Sequence, residues 1–479
     1  MRQPSDEEVK TRFQFDNPWW TAPDSGVLRE MRDWPKRAYF EPFLKQVKQT
    51  SVKRAVVLMG PRRVGKTVML RQAIQALIDD GVDPKTIFYA SLETPIYIGY
   101  GLERLFRLFC AMHGHDLHAR LYVFFDEIQY LKGWEVHLKS FVDSFLDAKA
   151  IVSGSAAAAL RYASNESGAG RFSDFVLPPL SFAEFVDFSS KGTDQVRLVE
   201  QLNKKLIEYL NYGGFPEAVI NADLRRNFQK FIGEDVLSKV MLRDLPSLYG
   251  IDNPQELNQF FTLVALNSGA ELNIETLSKH SGVALNTVKK YLQYLEAAFL
   301  IRRVNRIDRN ARKFKRATTF KVYLTNPCLR AALFGPVDSD PDDLGLLVET
   351  MIFSNYFQSG DVDSIYYARW DNAEIDFIGT ALGSIPTFAV ECKWSDSFYE
   401  DERSLSPYVG FAKRHGLKEI LCTSKSVSKS VEIDGIQVLV VPTCLYGLSY
   451  GLVNSRQIKS GAFLAALADG TPFLRRPSD

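Results

Sequence analysis

Short apolar runs alternate with amphipathic stretches through the first third of the chain. Ala55-Val56-Val57-Leu58-Met59 is a continuous apolar run of strand length, and similar runs lie within 86–92 and 121–125. Residues 67–80 and a stretch around 102–112 instead space their apolar positions as a helix does. Strand and helix in alternation predict a parallel sheet covered by helices. A further run, Ala150-Ile151-Val152, leads into Ser153-Gly154-Ser155. The pattern then turns helical over about 183–265, where Phe182, Phe185 and Phe188 are expected in the core. Two short helices about Ser281-Gly282-Val283 are expected within 270–325, before an acidic, proline-containing linker at 338–343. The rest reads as mixed α/β, with a helix over 344–357 and strands near 364–369, 374–379, 387–392, 419–423 and 436–441. At the other end, Phe13, Phe15, Trp19, Trp20, Trp34, Tyr39 and Phe40 among charges predict a packed helical lead-in over 1–50. The expected divisions are therefore 1–50, 51–190, 191–268, 269–330 and 344–470.

Length and composition narrow this picture. A chain of 479 residues is too long for one compact core. Its 46 % hydrophobic and 24 % charged residues exclude a disordered chain, a collagen-like one and a coiled-coil rod. No apolar run approaches the ~18–20 residues that span a bilayer, so no membrane partner and a cytoplasmic location are expected. The formal net charge of +1 argues for no partner by itself. Five scattered cysteines without a C-x-x-C pair fit a reducing compartment. Cys110, His113, His115 and His118 have conceivable zinc-ligand spacing, but in a helix-to-strand connection they are expected to be ordinary polar residues.

The candidate chemistry begins where the first strand ends. Gly60-Pro61-Arg62-Arg63-Val64-Gly65-Lys66-Thr67 fits G-x-x-x-x-G-K-[ST]. Glycines at both ends let the backbone wrap its N–H groups round a β-phosphate; Lys66 would neutralise β- and γ-oxygens, and Thr67 would supply a hydroxyl to Mg²⁺. The pattern predicts an ATP site. The run Leu121-Tyr122-Val123-Phe124-Phe125 ends in Asp126-Glu127. Asp126 would hold the water shell of Mg²⁺ and Glu127 would polarise the attacking water. The acidic strand is expected between the strand of the phosphate loop and its neighbour. Ser153 and Ser155 stand where a γ-phosphate sensor would sit, and Arg171 is a candidate arginine finger toward a neighbouring subunit of a homo-oligomer.

A second constellation lies near the C-terminus. Glu374-Ile375-Asp376 and, fourteen residues on, Glu391-Cys392-Lys393 form D-x(14)-E-x-K. With a strand period of two, Glu374 and Asp376 share a face, as do Glu391 and Lys393. Asp376 and Glu391 could bind Mg²⁺ while Lys393 stabilises a hydroxide or a phosphorane's charge, with Glu349 as a fourth member. Such residue types serve metal-dependent phosphodiester hydrolysis.

These stretches, together with Gly213-Gly214-Phe215-Pro216, Arg243-Asp244-Leu245 and Val322-Tyr323-Leu324, give the chain its resemblance. Over about residues 35–445 it resembles the prokaryotic AAA+-like ATPases that join a P-loop domain, a winged-helix region and a C-terminal PD-(D/E)xK restriction-endonuclease-like domain. The resemblance implies a multidomain α/β protein: an ASCE-type parallel sheet at 51–190, a helical lid at 191–268, a winged helix at 269–330 and a nuclease-like domain at 344–470. It also implies ATP-site roles for Lys66, Thr67, Asp126 and Glu127, and nuclease-like roles for Glu349, Asp376, Glu391 and Lys393. Ile375 stands where that motif often has proline, a residue without chemical activity.

The expected winged helix carries a local charge. Val288, Leu292 and Leu295 would bury one face of its second helix, leaving Asn286, Thr287, Lys289 and Lys290 near the exposed start. Residues 286–321 hold eleven cations against Glu296 and Asp308, a net +9 in a nearly neutral chain. DNA is the expected partner. The whole reads as an ATP-hydrolysing, DNA-binding or DNA-processing protein with a nuclease-like domain; the alternative is a nucleotide-operated switch whose nuclease-like fold only binds partners.

Overall fold

The computed structural model describes residues 4–22, 31–155, 170–189, 199–312, 319–338, 341–359, 361–370, 373–381 and 385–456. The chain divides into two compact units, 1–178 and 179–479. Among the described residues no helix is long and apolar enough to cross a membrane.

The first unit is built on five parallel strands: β1 (Ala55–Met59), β2 (Ile87–Ser91), β3 (Leu121–Asp126), β4 (Ala148–Gly154) and β5 (Phe172–Val176). All five residues of β1 are buried, as a strand covered on both faces requires. The order β2-β3-β4-β1-β5 corrects one expectation. The strand inserted beside the phosphate-loop strand is β4, ending in Ser153 and Gly154; the acidic strand β3 lies one place further out. This places Asp126 and Ser153 on neighbouring strand ends.

The lead-in belongs to this unit. Helix α1 (Asp6–Asp16) begins with a reciprocal capping box between Ser5 and Glu8. Asn17 then completes the edge of β2: its Oδ1 accepts from the Tyr89 N–H at 2.6 Å and its Nδ2 donates to the Tyr89 carbonyl at 2.9 Å. The indoles of Trp19 and Trp20 both donate to the Ile87 carbonyl, at 3.1 and 2.8 Å. An otherwise open sheet edge is thereby closed by side chains.

The second unit combines helices with one nine-stranded mixed sheet in the order β13-β14-β12-β11-β10-β9-β7-β8-β6. Its strands are β6 (Glu271–Asn273), β7 (Ile301–Ile307), β8 (Thr319–Leu324), β9 (Ile365–Trp370), β10 (Ala373–Thr380), β11 (Pro386–Glu391), β12 (Glu419–Ser424), β13 (Lys429–Ile433) and β14 (Ile436–Pro442). The parallel pairing of β7 with β9, Asn305 opposite Tyr366, carries the sheet across the boundary expected between 330 and 344. The expected winged-helix and nuclease-like segments therefore share one sheet. The helix-turn-helix is present as Ile274–Ser281 and Leu285–Ala297 about Gly282, whose φ of +73° suits a residue without a Cβ. Val288, Leu292 and Leu295 are buried with Phe260 and Phe261 of the helix Pro254–Leu266. Phe182 and Phe185 are core residues, and Phe188 is only partly covered.

Candidate nucleotide site and acidic pocket

The loop after β1 forms a cradle at the start of α3 (Lys66–Asp79), counting α2 (Phe40–Lys48) before it. Gly60 passes so close to the chain after β5 that a Cβ there would lie 2.1 Å from the Leu177 carbonyl oxygen. Gly65, at φ +95°, turns the loop into α3 and leaves the first N–H groups of that helix directed into the cradle. Arg37 fixes the outside of the turn, donating to the carbonyls of Val64 at 2.8 Å and Pro178 at 2.9 Å. Lys66 is buried, and its Nζ donates to the Gly60 and Pro61 carbonyls at 3.0 and 2.8 Å.

Beside the cradle, four donors converge on Asp126. Thr67 Oγ1 and the Tyr89 hydroxyl each donate to Oδ2 at 2.8 Å; the Ser153 hydroxyl and the Glu127 N–H donate to Oδ1. Thr67 and Asp126, expected as magnesium partners, thus sit within one hydrogen bond of each other. Glu127 adopts the left-handed region at φ +52°, uncommon outside glycine. Gln129 donates to that carboxylate and, at 3.0 Å, to Ser155 Oγ. Burial raises the Glu127 pKa, against the pull of the Lys66 ammonium. An acid held this way is a better proton acceptor near neutral pH than a free carboxylate.

Arg62 and Arg63 line the loop, with Arg63 at φ +63°. Arg171 is elsewhere. It precedes β5 and its carbonyl accepts from the Ala55 N–H at the start of β1, the opposite end of the sheet from Gly60. Its guanidinium pairs with Asp143 at 3.0 Å, so Arg171 is no part of this chain's own nucleotide site. Tyr89 and Gln129 were not legible as site residues; a strand tyrosine ordinarily reads as core, and only the pairing of β2 with β3 brings Tyr89 to Asp126.

The cradle with its buried lysine, and Thr67 joined to the acid that ends β3, form the site of a Walker-type P-loop ATPase, a domain that takes ATP with magnesium. Residues 52–186 match the family model described as AAA domain, and residues 203–340 match a domain of unknown function, DUF8612. An uncharacterized protein of Haemophilus influenzae is 27 % identical over 391 residues, 80 % of this chain and 92 % of its own length. One of Methanocaldococcus jannaschii is 25 % identical over 333 residues, 67 % of this chain and 71 % of that protein. Among solved structures, the Walker-type ATPase PABY2304 of Pyrococcus abyssi aligns with TM-score 0.39 and 15 % identity, over 61 % of this chain and 95 % of that one. AMPPCP-bound DnaA from Aquifex aeolicus aligns with TM-score 0.29 and 11 % identity, over 53 % and 86 %.

In the second unit the expected acids do meet. Glu349, Glu374, Asp376, Glu391 and Lys393 line one cavity of about 340 Å³. Lys393 Nζ donates to Glu391 Oε1 at 2.6 Å, and the Tyr408 hydroxyl donates to the same atom at 3.1 Å. Burial, reinforced by Asp376, lifts the Glu391 carboxyl well above the ordinary range and brings that of Glu349 to about 7. The unexpected member is Lys321 of β8. Its Nζ donates to Glu349 Oε1 and Asp376 Oδ1, each at 2.9 Å, and pairs with Glu374. Burial opposes its charge, but the surrounding acids and Tyr323 hold its pKa above the ordinary lysine value.

Of the two acids expected to hold magnesium, Asp376 is bonded to the Lys321 ammonium, and Glu391 takes Lys393 instead. Among the described residues no group of three or more His, Cys, Asp or Glu is placed to hold a metal. The same holds for Cys110, His113, His115 and His118; His113 packs edge-on against Trp20 at 4.4 Å, and Phe109 stacks on Phe88 of β2 beside them. The basic stretch is also redistributed. Lys321 is buried, and Arg303 pairs with Glu296 at 2.6 Å. Lys289, Lys290, Arg309 and Arg312 belong to the described part of the stretch, whereas Lys313, Lys315 and Arg316 lie outside the described residues. Lys289, Lys290 and Arg309 are exposed.

Proposed function

We propose that the protein is a nucleotide-operated DNA-binding ATPase, in which the first unit hydrolyses ATP and the second binds DNA without cutting it. The observation that supports hydrolysis is the meeting of Thr67, Asp126 and Ser153 beside a desolvated Glu127. Bound magnesium supplies charge neutralisation and a Lewis-acid contact to the phosphates. Lys66, now on the Gly60 and Pro61 carbonyls, would neutralise the β- and γ-oxygens, the N–H groups at the start of α3 would receive the β-phosphate, and Thr67 and Asp126 would hold the cation. Glu127 accepts a proton from the attacking water, and Ser155, coupled to Glu127 through Gln129, senses the γ-phosphate.

The DNA reading is supported by the exposed start of the helix Leu285–Ala297, where Asn286, Lys289 and Lys290 are open to solvent, and by exposed Arg309. A short helix presenting amides and cations at its N-terminal turns suits the major groove and its phosphates. Its test is the ATPase rate and DNA affinity with single-stranded, duplex and branched DNA across a salt series. Changing Lys289, Lys290 and Arg309 to glutamine flattens the dependence of log K on log salt, by ~0.9 for each duplex phosphate that is no longer neutralised. An unchanged slope refutes the assignment and points to a protein partner.

A further inference from the structure

The acidic pocket of the second unit already contains its cation. Glu349 from the helix Pro341–Ser359 and Glu374 and Asp376 from β10 bring three carboxylates to one point. Like charges this close require a counter-charge, ordinarily a divalent ion held by several oxygens. Here Lys321 enters from β8, 4 % exposed; its ammonium donates to Glu349 and Asp376 and pairs in charge with Glu374. Two of these acids have further donors. Asp376 Oδ2 accepts the Cys392 N–H at 2.9 Å, and Glu349 Oε1 also accepts the Tyr323 hydroxyl at 2.5 Å. Glu391, the fourth acid, directs Oε1 to Lys393 and Tyr408, and its Oε2 has no partner.

We infer that Lys321 is a resident ammonium that takes the place of a divalent metal in this pocket, making it a metal-independent site. An ammonium balances charge and donates hydrogen bonds, but it offers no open coordination position and does not acidify a water molecule as a divalent ion does. The second unit therefore keeps the acids of a phosphodiesterase without the means to generate hydroxide. All of these residues belong to the second unit, so the inference stands or falls apart from the ATP site; it deepens the proposal that DNA is bound and not cut.

The test counts Mn²⁺ sites on the full-length protein without nucleotide, by electron paramagnetic resonance of the free ion. Wild type and Asp376→Asn are expected to bind the same number of ions, because the pocket contributes none. Lys321→Met is expected to gain one site, and Lys321→Met with Asp376→Asn to lose it again. Loss of one site on Asp376→Asn in the wild-type background overturns the inference, as does a folded Lys321→Met that gains none. Should Lys321→Met fail to fold, Lys321→Gln keeps two donors while removing the charge, and the same gain of one site is required of it. Asp376-dependent nicking of supercoiled plasmid by wild type in Mn²⁺ overturns it equally. Any Mn²⁺ held at Thr67 and Asp126 is common to all these variants and cancels in the comparison.

Discussion

Replacing Glu127 by glutamine tests the catalytic reading at a single functional group. The backbone at Glu127 is held in a left-handed conformation by its own N–H, which donates to Asp126 Oδ1 at 3.1 Å and Ser153 Oγ at 3.3 Å. Such strain costs on the order of 1–3 kcal/mol and persists only where the surroundings fix it. Glutamine has the same shape and can still accept from Gln129, so the substitution removes basicity and leaves position intact. A positioned general base is worth roughly 10²–10⁴-fold, or about 3–5 kcal/mol of barrier. Phosphate release under saturating ATP should fall by that factor, while calorimetric ATP affinity stays within about threefold.

The pH profile carries a second, independent sign. The base works only when ionised, and burial raises its pKa above the ordinary 4.5, so the acid limb of wild-type kcat lies above that value and disappears in Glu127→Gln. Stability runs the other way. Between the unfolded and the raised folded pKa the native state binds more protons than the unfolded one, so Glu127 costs stability as pH rises through that window. Glu127→Gln should therefore raise Tm at pH 7 and leave it nearly unchanged near pH 4, where both states are protonated. A variant with kcat within tenfold of wild type and the acid limb retained would show that another group is the base.

Two further substitutions probe the cradle and its cation side. Gly60→Ala places a methyl group 2.1 Å from the Leu177 carbonyl oxygen, a backbone-on-backbone overlap no rotamer relieves, so ATP affinity in calorimetry should drop more than tenfold while far-ultraviolet circular dichroism is retained. Wild-type affinity in that variant would mean the loop is not the binding element. Tyr89→Phe keeps the ring beneath Arg71, 3.7 Å from the guanidinium carbon, and removes only the hydroxyl donated to Asp126. One such hydrogen bond is worth about 1 kcal/mol, so the Mg²⁺ concentration for half-maximal ATPase should rise roughly fivefold with kcat at saturating Mg²⁺ little changed; an unmoved Mg²⁺ dependence would reduce Tyr89 to a core residue.

What can be read in the sequence follows the strength of the apolar signal. β1 is buried throughout and β3 and β4 at all but one position each, and the phosphate loop is tied to β1 by chain connectivity, so that motif and its strand are visible together. The strands near 364–369, 374–379, 387–392, 419–423 and 436–441 all form, each within about two residues of its expected bounds. β5 and β13 are not visible, because Phe-Ser-Asp-Phe-Val and Lys-Ser-Val-Glu-Ile mix polar residues in, as strands at a sheet edge do. Residues that act through pairing between distant strands are hidden for a different reason. Lys321 reads as one more wing cation, although Lys321 and Tyr323 share one face of Thr319–Leu324 and that period-two pattern marks a strand with polar groups turned toward a partner.

The two acidic sites differ in how their carboxylates are balanced, and that difference separates their chemistry. Asp126 is met by the hydroxyls of Thr67, Tyr89 and Ser153 and by the Glu127 N–H, all neutral donors that hold it in place and leave its charge. The nearby ammonium of Lys66 donates instead to the Gly60 and Pro61 carbonyls, contacts that phosphate oxygens can replace at little cost because a carbonyl is the weaker partner. That arrangement has a place for a divalent cation and a polyanion to enter together. In the second unit Glu349, Glu374 and Asp376 gather round the single ammonium of Lys321, and removing that lysine would leave buried like charges without a counter-charge. An ion entering there would have to displace an ammonium hydrogen-bonded to Glu349 and Asp376 and paired with Glu374. The first site is built to exchange its cation with each nucleotide, and the second to keep one permanently.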